Sequence, residues 1–403
     1  MFYNTYFWIK FIMLKISFKT EELKKIVSSV QSICQKKTVS DNTSHLFVNI
    51  SDDVAVFKAT DLEVFAEFTI PVFFSDNFSF DFPFPINFLV NAKRFYDIIK
   101  DIDFENIDLL FDGNKLGILI ENSEIFLNTY QNDSFLDRNA LIENLFSVKS
   151  KDLLSLISFC LPLSSTNLHN PNINSIFFEF GLSSFSSTST DGHCLSHISY
   201  SYPCYGISSI FSFLISKKSS SDLKKILESN ELSDSKKDII IGKFENEIVF
   251  SSSFFTIFVK TVSQKFPDYY KIIETSSFNK ISFNRESLQK SFKRLSYITD
   301  NKFIPSSLLF NFSSHSLSCS LTHKDVGSIK EVIFFNSETN FSNSNLQNFI
   351  ISVFSPYVLQ AIISLNLFEN ITLMSLDKCK PLLLEGSNEL NRMIYVIMPM
   401  ISS

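Results

Sequence analysis

The chain repeats itself. An amphipathic helical pattern runs over Thr20–Gln35, again over Lys149–Cys160, and again over Asn284–Tyr297. A second helical pattern follows each one, over Ala92–Ile102, Ser219–Ser229 and Ser355–Leu367. First to second is about 70 residues each time, and the whole unit recurs after about 130. A repeat of this kind constrains the fold more than composition does, because every copy must bury the same faces. It predicts three similar domains in series, which favours a scaffold over an enzyme with one pocket.

Between the helices the apolar period shortens to two. Leu46–Ile50, Val54–Lys58 and Glu63–Pro71 read as strands, and Leu109–Phe111 and Leu116–Ile120 flank an Asp112-Gly113-Asn114 hairpin turn. The second unit offers Ser175–Phe180, Ile239–Ile241 and Glu247–Phe250, and the third offers Ser307–Phe312, Ser316–Leu321 and Glu331–Phe335. Each unit is therefore a strand-rich α+β module carrying two helices. Such modules have sheet edges to cover, and joining sheets edge to edge across domains, then closing a ring, would cover them. The polar stretch Tyr130–Asn144 and the segment Gln264–Glu274 read as linkers. The expected domains are 13–138, 139–273 and 274–403.

At 403 residues the chain is too long for one core. It has 46 Phe and 8 Gly, a skew that weakens propensity as a guide and leaves periodicity to carry the reading. Cys34, Cys160, Cys194, Cys204, Cys319 and Cys379 lie far apart with no CxxC pair, which reads as reduced cytoplasmic thiols and not a disulfide frame. Residues 1–12 are apolar and aromatic with Lys10 inside them. They are too short to span a bilayer and lack the pattern of a signal peptide. They are expected to be an upstream extension before a more ordinary start at Met13, and no membrane association is expected.

The net charge of −6 argues against a simple nucleic-acid binder, but its distribution does not. The helical segments are net basic and the remainder net acidic. In the first helix Leu23, Ile26, Val27, Val30, Ile33 and Cys34 share one face, and Lys24, Ser28, Gln31 and Gln35 share the opposite one. Lys36 and Lys37 follow. The other helices offer Lys93 and Arg94; Lys149 and Lys151; Lys217, Lys218, Lys224 and Lys225; and Lys290, Lys293 and Arg294. Such faces suit salt-sensitive, non-specific contacts to the phosphates of duplex DNA. A solvated helix face explains any single lysine equally well, and the last helix, with Val358, Leu359, Ile362 and Ile363, carries no basic residue.

Catalytic signals are sparse. His193, Cys194, His197 and Cys204 are the clustered soft ligands, but their spacing lacks a second ligand pair for zinc. Asp191 beside His193 has the form of an acid–base pair, with no nucleophile motif to accompany it. GxGxxG, P-loop and HExxH patterns do not occur. A cytosolic hydrolase or metal enzyme centred on Asp191, His193 and Cys194 is the alternative reading; otherwise no catalytic site, metal or cofactor is expected.

Five segments carry a resemblance. Ala59-Thr-Asp-Leu-Glu-Val64, Val90-Asn-Ala-Lys-Arg-Phe-Tyr-Asp-Ile-Ile99, Ser189-Thr-Asp-Gly-His-Cys-Leu195, Lys265-Phe-Pro-Asp-Tyr269 and Tyr395-Val-Ile-Met-Pro-Met400 resemble the bacterial sliding-clamp family, the beta subunit of DNA polymerase III, in order and spacing from Met13 to about Met400. The resemblance implies a head-to-tail homodimeric ring around double-stranded DNA, with helices lining the hole and sheets outside. It implies a processivity factor with no reaction of its own. The implied partners are the polymerase III catalytic subunit, the clamp loader, and repair and ligation proteins, all docking through short peptides. Carried over by motif, the peptide pocket comprises Ile173, Thr190, Gly192, His193 and Leu195; Pro267, Lys271 and Ile272; and Val396, Ile397, Met398, Pro399 and Met400. Without the resemblance, Val396–Met400 reads as a last core strand. Lys37 matches the family's basic position after the first helix. Ile125 and Leu127, with Tyr297 and Ile298, match the ring interface. The chain departs from the family at Cys194 and Ile401, where arginines are usual, and at Pro171 and Asn172, where tyrosines often contact DNA. The pocket is expected to rely on apolar contact.

Overall fold

The computed structural model describes residues 14–34, 41–51, 53–74, 85–120, 123–131, 135, 142–231, 238–274, 279–299, 304–335, 348–375 and 380–400. Residues 1–12, Lys36, Lys37, Cys379, Ile401 and most of the first linker lie outside these. Among the described residues no helix is long and apolar enough to cross a membrane.

The first repeat contains β1 (Leu14–Lys19), α1 (Thr20–Ile33), α2 (Asp41–Ser44), β2 (His45–Ile50), β3 (Val54–Thr60), β4 (Val64–Pro71), β5 (Phe73–Phe74), β6 (Ile86–Asn91), α3 (Ala92–Ile99), β7 (Asn106–Phe111), β8 (Lys115–Ile120) and β9 (Ser123–Tyr130). The second contains β10 (Glu143–Lys149), α4 (Ser150–Cys160), β11 (Ser175–Phe180), β12 (Phe185–Thr190), β13 (Cys194–Tyr200), β14 (Phe211–Ser216), α5 (Lys217–Glu231), β15 (Asp238–Phe244), β16 (Glu247–Ser251) and β17 (Phe255–Lys260). A short helix, α6 (Tyr270–Ile273), leads to β18 (Asn279–Asn284), α7 (Arg285–Ser296), β19 (Ser306–Asn311), β20 (Ser316–His323), β21 (Gly327–Phe334), β22 (Phe349–Val353), α8 (Ser355–Ser364), β23 (Asn370–Ser375), β24 (Leu382–Ser387) and β25 (Asn391–Ile397). The six expected helices are all present, shifted at their ends by a few residues.

Local chemistry explains the helix starts. In α1, Leu23, Ile26, Val27, Val30 and Ile33 are buried, while Glu21 and Glu22 in the first turn complement the helix dipole. Asn91 caps α3 by accepting the Arg94 N–H at 3.0 Å, and Asn284 caps α7 by accepting the Ser287 N–H at 3.1 Å. The hairpin predicted at Asp112-Gly113-Asn114 forms, with Gly113 at φ +97°.

The chain divides into two compact units, 1–154 with 221–261, and 155–220 with 262–403. The first holds a 13-stranded sheet and the second an 8-stranded and a 4-stranded sheet. Both large sheets join strands from successive repeats. In the first unit β4 pairs antiparallel with β17, from Phe68↔Phe255 to Val64↔Val259. In the second, β13 pairs with β25, from Cys194↔Ile397 to Tyr200↔Asn391. These two pairings cover the edges of β4, β17, β13 and β25.

The two junctions bury matching clusters. Phe47, Phe65, Leu89, Phe135, Val249 and Phe258 pack together at the first. Leu195, Leu214, Phe266, Tyr269, Leu383 and Val396 pack at the second, with Phe177 against them. Each buried phenylalanine stabilises by about 2 kcal/mol through area removed from water. Linker residues are part of both clusters: Phe135 stacks on Phe47 with ring centroids 4.9 Å apart, and Phe266 stacks on Phe177 at 5.4 Å.

Candidate partner pocket and DNA-facing helices

The hairpin between β12 and β13 is built by one carboxylate. Asp191 Oδ1 accepts the backbone N–H groups of His193 (2.8 Å) and Cys194 (2.7 Å), and its Oδ2 accepts the Tyr357 hydroxyl (3.0 Å). Thr190 Oγ1 donates to the Cys194 carbonyl (2.6 Å) and accepts the Gly192 N–H (3.1 Å). Gly192 sits at φ +91°, a left-handed conformation that glycine adopts without strain. The first repeat builds the same turn at Thr60–Val64: Asp61 Oδ1 accepts from Glu63 and Val64, and the left-handed position is Leu62 at φ +76°.

Around this hairpin the structure gathers most of the expected pocket residues at one end of the 8-stranded sheet. The Met398 N–H donates to the His193 carbonyl (3.0 Å), and the Met400 N–H donates to the Ser352 carbonyl (2.7 Å). The tail after β25 is thus stitched to the hairpin on one side and to β22 on the other. Gly192, His193, Pro267, Lys271, Ile272 and Met398 are exposed, and Ile173, Pro399 and Met400 half-buried. Thr190 and Leu195 are buried. Val396 and Ile397 belong to β25 and are each 1% exposed, so they form the packed floor. The tail is therefore core strand as far as Ile397 and open surface from Met398. Phe266 and Tyr269, both buried, pin the linker that presents Pro267, Lys271 and Ile272. An aliphatic, methionine-bearing surface of this kind adapts to varied apolar side chains.

The hydrolase residues do not assemble a nucleophile. Burial, with Asp191 adding to it, pushes the Cys194 thiol well above its ordinary value. A thiol held neutral is inert. His193 lies in the turn and is exposed, whereas His197 is buried on β13 beside Thr188 (2.9 Å) and Tyr269. Burial, then the Arg392 charge, depresses His197 to about 4. Among the described residues no three His, Cys, Asp or Glu side chains gather as metal ligands.

The basic residues divide by environment. Lys93, Arg94, Lys149, Lys151, Lys218, Lys225, Lys290, Lys293 and Arg294 are exposed, and Lys24, Lys217 and Lys224 half-buried. Lys93 and Arg94 line a cleft with Gln31, Asn91 and Asp97. Lys24 pairs with Asp103 (3.1 Å), Lys224 with Glu228 (3.6 Å) and Lys225 with Asp222 (3.7 Å). The Lys24 and Lys224 pairs lie at the surface and contribute at most about 1 kcal/mol, whereas the Asp222 carboxylate that holds Lys225 is buried. Arg294 differs: its Nε and Nη2 hold Glu331 at 2.7 and 2.6 Å, stapling α7 to β21. Lys217 also differs, because its Nζ donates to the Ser164 carbonyl at 2.5 Å.

Two of the strands that keep an open side are alike. β21 pairs only with β20 among the described strands, and β9 meets β6 only through Tyr130 and Thr129. Along both, burial alternates in the same way. Ile125 and Leu127 are half-buried on β9; Val332 and Phe334 are 47% and 74% exposed on β21. Tyr297, at the end of α7, is 69% exposed, and Ile298 beside it is half-buried.

Tyr357 and Ser352 were not legible as pocket neighbours. No local pattern reveals a contact from α8 to a hairpin 166 positions earlier.

One surface presents aliphatic side chains and the other presents lysines and arginines, as partner-binding surfaces do. The class they define is a modular binding scaffold, an α+β clamp-type protein. Comparison with known proteins narrows this. Residues 14–137 match the family model of the DNA polymerase III beta subunit, N-terminal domain. A beta sliding clamp of Rickettsia felis is 25% identical over 96% of this chain and 99% of its own length. One from Chlamydia muridarum is 21% identical over the same shares. The fold matches the DNA polymerase III beta subunit of Thermotoga maritima with a TM-score of 0.83 at 18% identity, covering 97% of this chain and all of that one. A Pseudomonas aeruginosa sliding clamp solved bound to griselimycin matches with a TM-score of 0.82 at 20% identity, over 97% of this chain and all of that one. Family model, relatives and solved structures all point to the bacterial DNA polymerase III beta subunit, the beta sliding clamp, and none supports the hydrolase reading. That family consists of processivity factors, not catalytic enzymes.

Proposed function

We propose that this chain is a cytoplasmic DNA sliding clamp that closes as a head-to-tail homodimer around duplex DNA. The observation that carries the reading is the pair β9 and β21, which share one pattern of exposure, keep most of one side open, and lie in the first and third repeats. Strands that expose apolar side chains along an open edge are a liability unless another chain pairs with them. Ile125 and Leu127 would meet Tyr297 and Ile298 across that junction. Three domains, 13–138, 139–273 and 274–403, would then give a ring of six modules from two chains.

Within it, the exposed lysines and arginines of the helices would face the duplex and contact phosphates without sequence preference. The aliphatic surface of Ile173, Pro267, Ile272, Met398, Pro399 and Met400 would take the short peptides of the polymerase III catalytic subunit, the clamp loader, and repair and ligation proteins. Lys271 is a cation at its rim. Sedimentation and retention on circular against linearised DNA test the proposal. A dimer that stays on circles and runs off linear ends is expected; a monomer that treats both DNAs alike would refute it.

A further inference from the structure

Lys217 and Lys218 stand side by side at the start of α5, and the sequence treats them as one basic patch. The structure separates them. Lys218 is exposed. Lys217 is half-buried, and its side chain turns back to donate to the Ser164 carbonyl at 2.5 Å, while its own N–H donates to the Asn174 carbonyl at 3.0 Å. Both acceptors belong to one loop, 164–174, which precedes β11 and carries the pocket residue Ile173. That loop is closed on itself: the Ser165 N–H donates to the Ile173 carbonyl at 2.9 Å, and Asn174 Nδ2 donates to the Ser165 carbonyl at 2.6 Å. The register of β11 with β12 and β14 sets the loop, Lys217 and the Thr190 hairpin at the same end of the sheet.

We infer that Lys217 is a positioning residue of the peptide pocket and not a DNA contact. Its ammonium group bridges the basic helix to the loop that holds Ile173. A charged donor on a carbonyl is stronger than a neutral one, and Ser164 is 2% exposed, so the acceptor has no ready water to replace it. Asp191, in the hairpin, attracts the same ammonium, against the cost of its burial. Loop and hairpin thus share one cation. Asn174 supplies the second, independent staple, and its side chain bonds within the loop and not to the basic helix.

The inference rests on the pocket reading above, and its test separates the two. The affinity of a fluorescent clamp-binding peptide and that of a duplex are measured for the full chain, for Lys217→Met, which keeps the aliphatic stem, for Asn174→Ala and for Lys218→Ala. Hydrogen exchange is followed at residues 165–173. Lys217→Met and Asn174→Ala are each expected to weaken the peptide about tenfold and to speed exchange in the loop, leaving duplex affinity and its salt slope within error. Lys218→Ala is expected to do the reverse, lowering the salt slope by about one. Wild type that fails to bind the peptide overturns the pocket reading, and this role with it. Wild type that binds, with Lys217→Met weakening only the duplex, overturns the role of Lys217 alone.

Discussion

Acid should loosen the second junction through one histidine. His197 lies on β13 beneath the pocket linker, bonded to Thr188 Oγ1 at 2.9 Å and packed 5.5 Å from the Tyr269 ring. Burial and the Arg392 charge hold it near 4 in the fold, against 6.5 for an ordinary histidine. The unfolded chain therefore binds this proton first. Its contribution is complete above pH 6.5 and is lost as the pH falls toward 4. Linkage over that interval gives about 2 kcal/mol lost at pH 5 relative to pH 7.5, and about 3 kcal/mol in all. The effect is local to the second unit, so hydrogen exchange at β12 and β13 is the suitable measure, compared at the two pH values in wild type and His197→Gln. Glutamine keeps a partner for Thr188 and cannot titrate. Protection in wild type should fall about thirtyfold more than in the variant. An equal fall in both would refute the assignment.

Met398→Ala is expected to weaken a clamp-binding peptide about tenfold, and wild-type affinity should change little between low and moderate salt, since the expected lining is mainly apolar; a steep salt dependence in a peptide titration would contradict this. Phe334→Asp on β21 should shift the dimer toward monomer in sedimentation by placing a charge on an apolar edge. Gly386→Ala brings a new methyl to 2.2 Å from the buried Phe368 ring, and should cost about 1–3 kcal/mol in denaturant unfolding of the second unit. Lys93→Ala with Arg94→Ala should weaken duplex binding and lower its salt slope by about two.

Much of the fold was legible because it depends on period. The faces of α1 and α7 alternate at 3.6 residues, and the strands near them at two, so element type follows from spacing alone. Two strands show where period fails: the Ser183–Ser189 stretch reads as a solvated loop but supplies most of β12, and the end of β25 is unmarked. β12 is rich in serine and threonine, and its polar side chains are buried in a hydrogen-bonded layer with Cys160 and Ser196. Such a strand looks like a solvated loop when its partners are unknown. In β25 the run Tyr395–Met400 is uniformly apolar, so nothing in it marks where the core stops. The pairing with β13 ends at Cys194↔Ile397 and decides the matter: Ile397 is covered and Met398 is open.

By itself the sequence determined that three like units follow one another, that each is strand-rich with two helices, and that five of the six helical segments carry basic residues. These are short-range properties, written in neighbouring residues. Which strand joins which, how Asp191 comes to hold a tyrosine from another repeat, and why Lys217 serves a loop while Lys218 remains exposed were decided only by the tertiary structure. Each depends on a contact between residues tens to hundreds of positions apart, and the charge or apolar character of a side chain does not state which partner the fold will bring to it.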